Sequence, residues 1–126
     1  MDNNTESILL SIKKLLGISE DYDHFDSDII MHINSVFAIL TQIGVGPQKG
    51  FSINDESEKW EDFLSEDKML HSVKSYMYMK VKMMFDPPLS SAVIECMKEQ
   101  IKELEWRLQI DAEETTKLEE EIQNGE

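Results

Sequence analysis

Cysteine is almost missing from this chain: Cys96 is the only one in 126 residues. A lone thiol excludes an internal disulfide and any metal site built on cysteines, and it fits a reducing compartment. Histidine is nearly as sparse, with His24, His32 and His71 scattered and no two at ligand spacing. Positive charge is short as well, with 12 Lys and Arg against 26 Asp and Glu, for a formal net charge of -14. Phosphate recognition needs clustered cations, so this balance argues against a nucleic-acid-binding surface and against docking on an anionic membrane. No apolar run reaches membrane-spanning length, and the opening MDNNTESILL carries acids where a secretory signal needs positive charge. The expectation is a protein made and assembled in the cytoplasm, with no membrane partner.

What is present is helical pattern. At 14.6 kDa and 40% hydrophobic residues the chain can build one core but not two. The organising stretch is Leu70 to Leu108, two long patterns around the break Asp86-Pro87-Pro88. Each proline fixes φ, lacks a donor N–H and disfavours helix in the residue before it. The first arm should therefore end near Phe85, and Ser90 or Ser91 should cap the second. On the first arm Leu70, Val73, Met77, Val81, Met84 and Phe85 form one stripe, and Tyr76, Met79 and Met83 lie on a neighbouring face. Such a helix should be buried on two sides. On the second arm Val93, Ile94, Met97, Ile101, Leu104 and Leu108 share a face, Glu103 and Arg107 form an outward i,i+4 pair, and Trp106 and Ile110 fall roughly opposite.

Earlier in the chain, Asn3 with Glu6 suggests a helix start, and Ile8, Leu9, Ile12, Leu15 and Leu16 a buried face that Gly17 closes. Asp26 or Ser27 should cap a second helix, whose stripe is Ile29, Ile33, Val36, Phe37, Leu40 and Ile43 and whose end is Gly44. Residues 44–67 change character, with glycines, a proline, a short extended candidate at Gly50 to Ile53 and a polar run around Trp60, Phe63 and Leu64. A connection this long usually has a job or is disordered, and its large apolar residues suggest that part of it packs down. Beyond Leu108 the stripe decays to Asp111 and Thr115 before Leu118 and Ile122 resume it. Residues 111–126 hold seven acids against Lys117, a balance of -6. They read as a solvated acidic tail, or as a segment that orders on a partner. The fold class is all-α: a small bundle of four to five helices, with a long irregular loop between the second and third long ones. Residues 1–110 form the domain, with 44–67 inserted in it, and residues 111–126 are the tail or arm.

No stretch carries convincing chemistry. Glu95, Glu99 and Glu103 share a helix face, as a metal-dependent helical hydrolase requires, but Lys98 and Lys102 are interleaved and no second helix offers a matching set. DYDHFDSD packs Asp21, Asp23, Asp26 and Asp28 closely, yet a calcium loop needs an oxygen ligand where Phe25 stands, then a glycine and a terminal Glu. Capping and the helix dipole explain these acids. GVGPQKG lacks the strand, helix and Ser or Thr of a phosphate loop. Cys96 has no neighbouring cation in sequence and reads as an inert, partly buried thiol. Neither catalysis nor a cofactor is expected. Met69, Met77, Met79, Met83 and Met84 cluster on one helix, where thioethers repack at little cost. Its two-sided apolar character favours a helix shared between its own core and a neighbouring subunit.

The successive elements IKKLLGI, HFDSDIIMHINSVFAILTQIGVGP, GFSI, WEDFL and VKSYMYMKVKMMFDPPLSSAVIECMKEQIKELEWRL resemble, from about Ile8 to Leu108, the head-tail connector (adaptor) family of tailed bacteriophages, in particular the versions from phages of Gram-positive bacteria. The resemblance implies a structural virion protein at the head-tail interface: a subunit of a homo-oligomeric ring, a dodecamer in this reading. Such a ring docks under the portal protein, extends the DNA channel without sequence-specific binding, and carries the next neck or stopper protein. It further implies portal contacts at Trp106, Ile110, Leu118 and Ile122, contacts within the ring at Tyr76, Met79 and Met83, and loop contacts to the neck or a second ring at Phe51, Ile53, Trp60 and Phe63. Carboxylates lining the bore would repel DNA phosphates. The competing reading is a small acidic interaction protein, a DNA mimic or regulator that binds a basic partner.

Overall fold

The computed structural model, which describes residues 5–65 and 67–125, folds into five helices among those residues. They are α1 (Ile8–Leu15), α2 (Asp26–Gln42), α3 (Trp60–Phe63), α4 (Asp67–Phe85) and α5 (Ser91–Asn124). Among the described residues there is no strand; the extended candidate at Gly50 to Ile53 is irregular, and one isolated bridge joins Ser7 to Lys59. The fold is the expected small all-α bundle.

The two expected glycine stops have the same chemistry. At Gly17 (φ 80) the N–H bonds the Lys14 carbonyl at 3.1 Å while Ile18 reaches Lys13 at 2.9 Å; at Gly44 (φ 93) the pairs are Thr41 at 3.1 Å and, from Val45, Leu40 at 2.8 Å. Both satisfy orphan carbonyls through a left-handed residue that glycine adopts without strain. The start of α1 differs from expectation. Ser7 is its N-cap, accepting from the Leu10 N–H at 3.3 Å, and Asn3 lies outside the described residues.

Lys13 accounts for two further departures. It is 1% exposed, bonds the Glu20 carbonyl at 3.1 Å and pairs with Asp26 at 2.9 Å. Lys13, not Leu15, thus completes the buried face of α1, and Leu15 is 53% exposed. Asp26 is the first residue of α2 rather than its cap, which is Phe25, because its carboxylate turns to the buried ammonium.

α4 is the middle layer. Leu70, Val73, Met77 and Val81 are buried towards α2 and α1, while Tyr76 and Met79 are buried towards α5. The helix is buried on two sides, and its own chain supplies both covers. At its C-terminal end Met84 is 42% exposed and Phe85 half-buried. The Asp86 N–H closes the helix on the Lys82 carbonyl, the prolines follow, and Ser90 caps α5 by accepting from Val93 at 3.4 Å. α5 then runs back along α4. Its inner stripe is half-buried at Ile94, Met97, Ile101 and Leu104 and fully buried at Leu108, whereas Val93 is 47% exposed.

The connection between α2 and α4 folds onto the bundle. Asn34 serves as a surrogate strand, donating to the Ile53 carbonyl at 2.9 Å and accepting its N–H at 2.8 Å. Phe51, Trp60 and Phe63 gather round Phe37, with ring centroids 5.0, 6.4 and 4.7 Å away. The Trp60 indole donates to Ser11 at 2.9 Å, which ties the connection to α1. Gly46 (φ 87) lies so close to Phe63 that a Cβ would run into the ring.

Two stability experiments follow from these contacts. Asp26→Ala strands the buried Lys13 ammonium and should cost roughly 3 kcal/mol in urea unfolding, whereas Lys13→Met, which keeps the buried stem, should cost about 1 kcal/mol; the reverse order would refute the role given to the pair. Gly46→Ala combines a strained φ with a clash and should cost roughly 2 kcal/mol or more.

Candidate assembly surfaces

The surface of α5 is the most unusual part of the subunit. Thirty-four residues at about 1.5 Å rise make a rod of about 51 Å. Its last buried residue is Ala112, which is 5% exposed and packs beside Gly44, and Glu114, Thr115 and Leu118 line a shallow depression with Lys68 and Met69 at the start of α4. From Glu113 to Gly125 every residue is exposed. The acidic segment is therefore a helical arm continuous with the bundle, with no break near residue 110. That its apolar face stays mostly exposed, at 60% for Leu118 and 74% for Ile122, agrees with the decayed stripe in the sequence.

Of the four residues assigned to the portal side, Trp106 is 62%, Leu118 60% and Ile122 74% exposed, and Ile110 is half-buried. They do not form one patch. Trp106 faces solvent and Ile110 is partly covered, while Leu118 and Ile122 extend the inner stripe past the end of the core. Between them run Glu113, Glu114, Glu119, Glu120 and Glu121, with Lys117 as the one cation of the projecting segment.

The other two groups sit differently from the expectation. Tyr76 is fully buried and donates to the Glu105 carboxylate at 2.6 Å; Met79 is 9% exposed and faces a groove of about 440 Å³ between α4 and α5, beside Leu104; Met83 is half-buried. α5 of the same chain uses most of the apolar surface that the sequence seemed to leave over for a neighbour. Tyr76 thus offers no free surface to a second subunit, because sequence periodicity reports how much apolar face exists but not which chain covers it. In the loop group, Ile53, Trp60 and Phe63 are 1%, 0% and 3% exposed and Phe51 is half-buried. These side chains anchor the loop to Phe37, leaving its polar residues outward.

Burial, and then the bond and charge of Glu105, push the Tyr76 phenol well above the ordinary tyrosine value of 10.0. Asp55 shifts the other way: hydrogen bonds from the Ser57 side chain and backbone hold its carboxyl below the usual value. Cys96 departs from the expectation of partial burial, since it lies exposed on α5. Among the described residues no group of three His, Cys, Asp or Glu could hold a metal ion, and no helix is long and apolar enough to cross a membrane. Ala112 escaped the sequence reading, because a lone alanine in an acidic run has no periodic signature; its contact depends on Gly44 arriving from α2.

The family model described as phage connector protein matches residues 8–115. The chain belongs to that family. No curated protein and no solved structure matches it. The match begins at Ile8, the first residue of α1, and takes in the whole bundle. As a phage connector, the chain is a structural virion protein that assembles with other virion proteins. The connector match stops at Thr115, so Leu118 and Ile122 lie beyond the part held in common with the family.

Tyr76 gives a pH-dependent test. Its pKa is raised on folding, so the stabilisation is complete at neutral pH and is lost as pH rises past 10. Tyr76→Phe should cost about 1 kcal/mol at pH 7, because Glu105 is partly exposed and can be rehydrated. The gap between variant and parent should narrow in urea unfolding above pH 10; a gap that widens there would refute the assignment.

Proposed function

We propose that this connector, from a phage of a Gram-positive host, forms a homo-oligomeric ring that docks under the portal, extends the DNA channel and provides the platform for the next neck protein. The family match over residues 8–115 carries the reading. The role is structural, with no catalytic step and no cofactor. The arm beyond Glu113 suits a docking element: an exposed helix already formed, with Leu118 and Ile122 as apolar anchors between carboxylates. Preorganisation spares it most of the ordering cost that an unstructured tail would meet on binding. Trp106 and Ile110 provide a second apolar pair further along the same helix. For contacts within the ring, Met83 is the member of its group best placed, being half-buried at the edge of α4.

The net charge of -14 serves a conduit, because carboxylates facing a bore repel phosphates and let the duplex pass. A bore dominated by Lys and Arg would contradict this. The decisive experiment mixes the purified chain with its portal and images the product by electron microscopy. An added ring is the expected outcome; no ring and no binding by folded protein would sink the proposal. Leu118→Asp and Ile122→Asp should weaken portal binding tenfold or more while leaving the thermal midpoint unchanged, since both positions are open to solvent.

A further inference from the structure

An exposed aromatic set lies at the end of the bundle where α5 begins. Tyr22 stacks on His24 with centroids 4.9 Å apart and lies 5.6 Å from Phe25, which meets Phe85 edge-on at 5.3 Å. Tyr22 is 45% exposed and Phe25 41%. Phe25 caps the start of α2 and Phe85 ends α4, whereas the projecting arm leaves from the other end, where Ala112 packs beside Gly44. Val93, near the aromatic end, and Ile122, on the arm, are 29 positions apart on one helix, about 43 Å. The two exposed apolar sets are therefore separate surfaces.

The aromatic end is also acidic. Asp28 and Asp86 are exposed on the segments that carry Phe25 and Phe85, and Glu20, Asp21 and Asp23, on either side of Tyr22 in the chain, line a groove with Asp55 and Glu56. Nearby cations are already engaged: Lys13 is buried on Asp26, and Lys82 pairs with Asp86 at 2.9 Å. A second copy presenting the same surface would meet like charge, which disfavours a symmetric contact. One side-chain chemistry fits both features. A guanidinium stacks on Tyr and Phe faces and forks onto carboxylates, whereas a lysine ammonium answers the charge without the planar stacking.

We propose that this aromatic and acidic end is a docking surface for an arginine-bearing protein partner, distinct from the site on the α5 arm. The proposal extends the connector reading by giving the subunit a partner at each end. Its test does not depend on the portal.

The full-length chain is titrated with nona-arginine and nona-lysine peptides and followed by amide NMR shifts. With nona-arginine, shifts should concentrate at Tyr22, Phe25 and Phe85 rather than along residues 113–121, an acidic stretch without aromatics. Tyr22→Ala should weaken nona-arginine binding about three- to fivefold and leave nona-lysine affinity unchanged. Tyr22 lies in an exposed connection, so its removal should not disturb folding, and Phe25→Leu provides a second variant that keeps apolar bulk while removing the ring. Shifts that follow the arm, an equal loss for both peptides, or no loss in either variant would each overturn the proposal. Self-association without peptide that Tyr22→Ala abolishes would overturn it in favour of a second copy. Ring formation on the portal by Tyr22→Ala is scored separately and bears on the connector reading alone.

Discussion

The constraint on which the rest of the subunit depends is the double-sided burial of α4. A helix with Leu70, Val73, Met77 and Val81 on one side and Tyr76 and Met79 on the other must be covered twice, at roughly 25 cal/mol for each Å² of apolar surface removed from water. α2 and α1 provide one cover and α5 the other. The turn at Asp86-Pro87-Pro88 makes the second cover possible, because it sends α5 back along the exposed side of α4 after a connection of only a few residues. Tyr76 adds a directional element. Its hydroxyl must find a partner once the ring is buried, and Glu105 sets the register of α5 against α4.

The same geometry explains why the subunit has two unlike ends. α4 has 19 residues and α5 has 34, so α5 outruns the helix it covers. What remains past Ala112 buries no residue and is built mostly of residues that need no core, glutamates, threonines, Lys117, Gln123 and Asn124, with Leu118 and Ile122 as exceptions. At the opposite end α2 begins where α4 finishes, and the rings of Phe25 and Phe85 meet at the rim. The subunit thus has an acidic helical arm at one end and an aromatic rim at the other. The loop between α2 and α4 contributes by packing rather than by reaching out, since Phe37 draws its aromatic side chains inward and Asn34 pins its extended part.

Much of the helical architecture was legible because its signals are local. Gly17, Gly44 and the proline pair end helices through backbone geometry that no distant contact alters, and the stripes of α2 and α4 follow from the 3.6-residue period alone. Less legible were the contacts where polar and apolar roles cross. Lys13 reads as a surface lysine but is buried, because Asp26 and the Glu20 carbonyl come from the next segment to meet it. Leu15 reads as core but lies outside for the same reason. Of the candidate contact residues, Leu118 and Ile122 stand exposed as a docking role requires, whereas Tyr76, Ile53, Trp60 and Phe63 are spent on the subunit itself.

The sequence by itself determined the fold class, the helix stops at Gly17, Gly44 and Asp86-Pro87-Pro88, the acidic character and, through the order of its elements, the connector family. These are set by short-range backbone chemistry, composition and pattern, which survive without coordinates. Only the tertiary structure decided which chain covers the second face of α4, how far α5 projects, and where the aromatic rings gather. Those outcomes depend on the relative length and placement of helices distant in sequence, and periodicity carries no record of either.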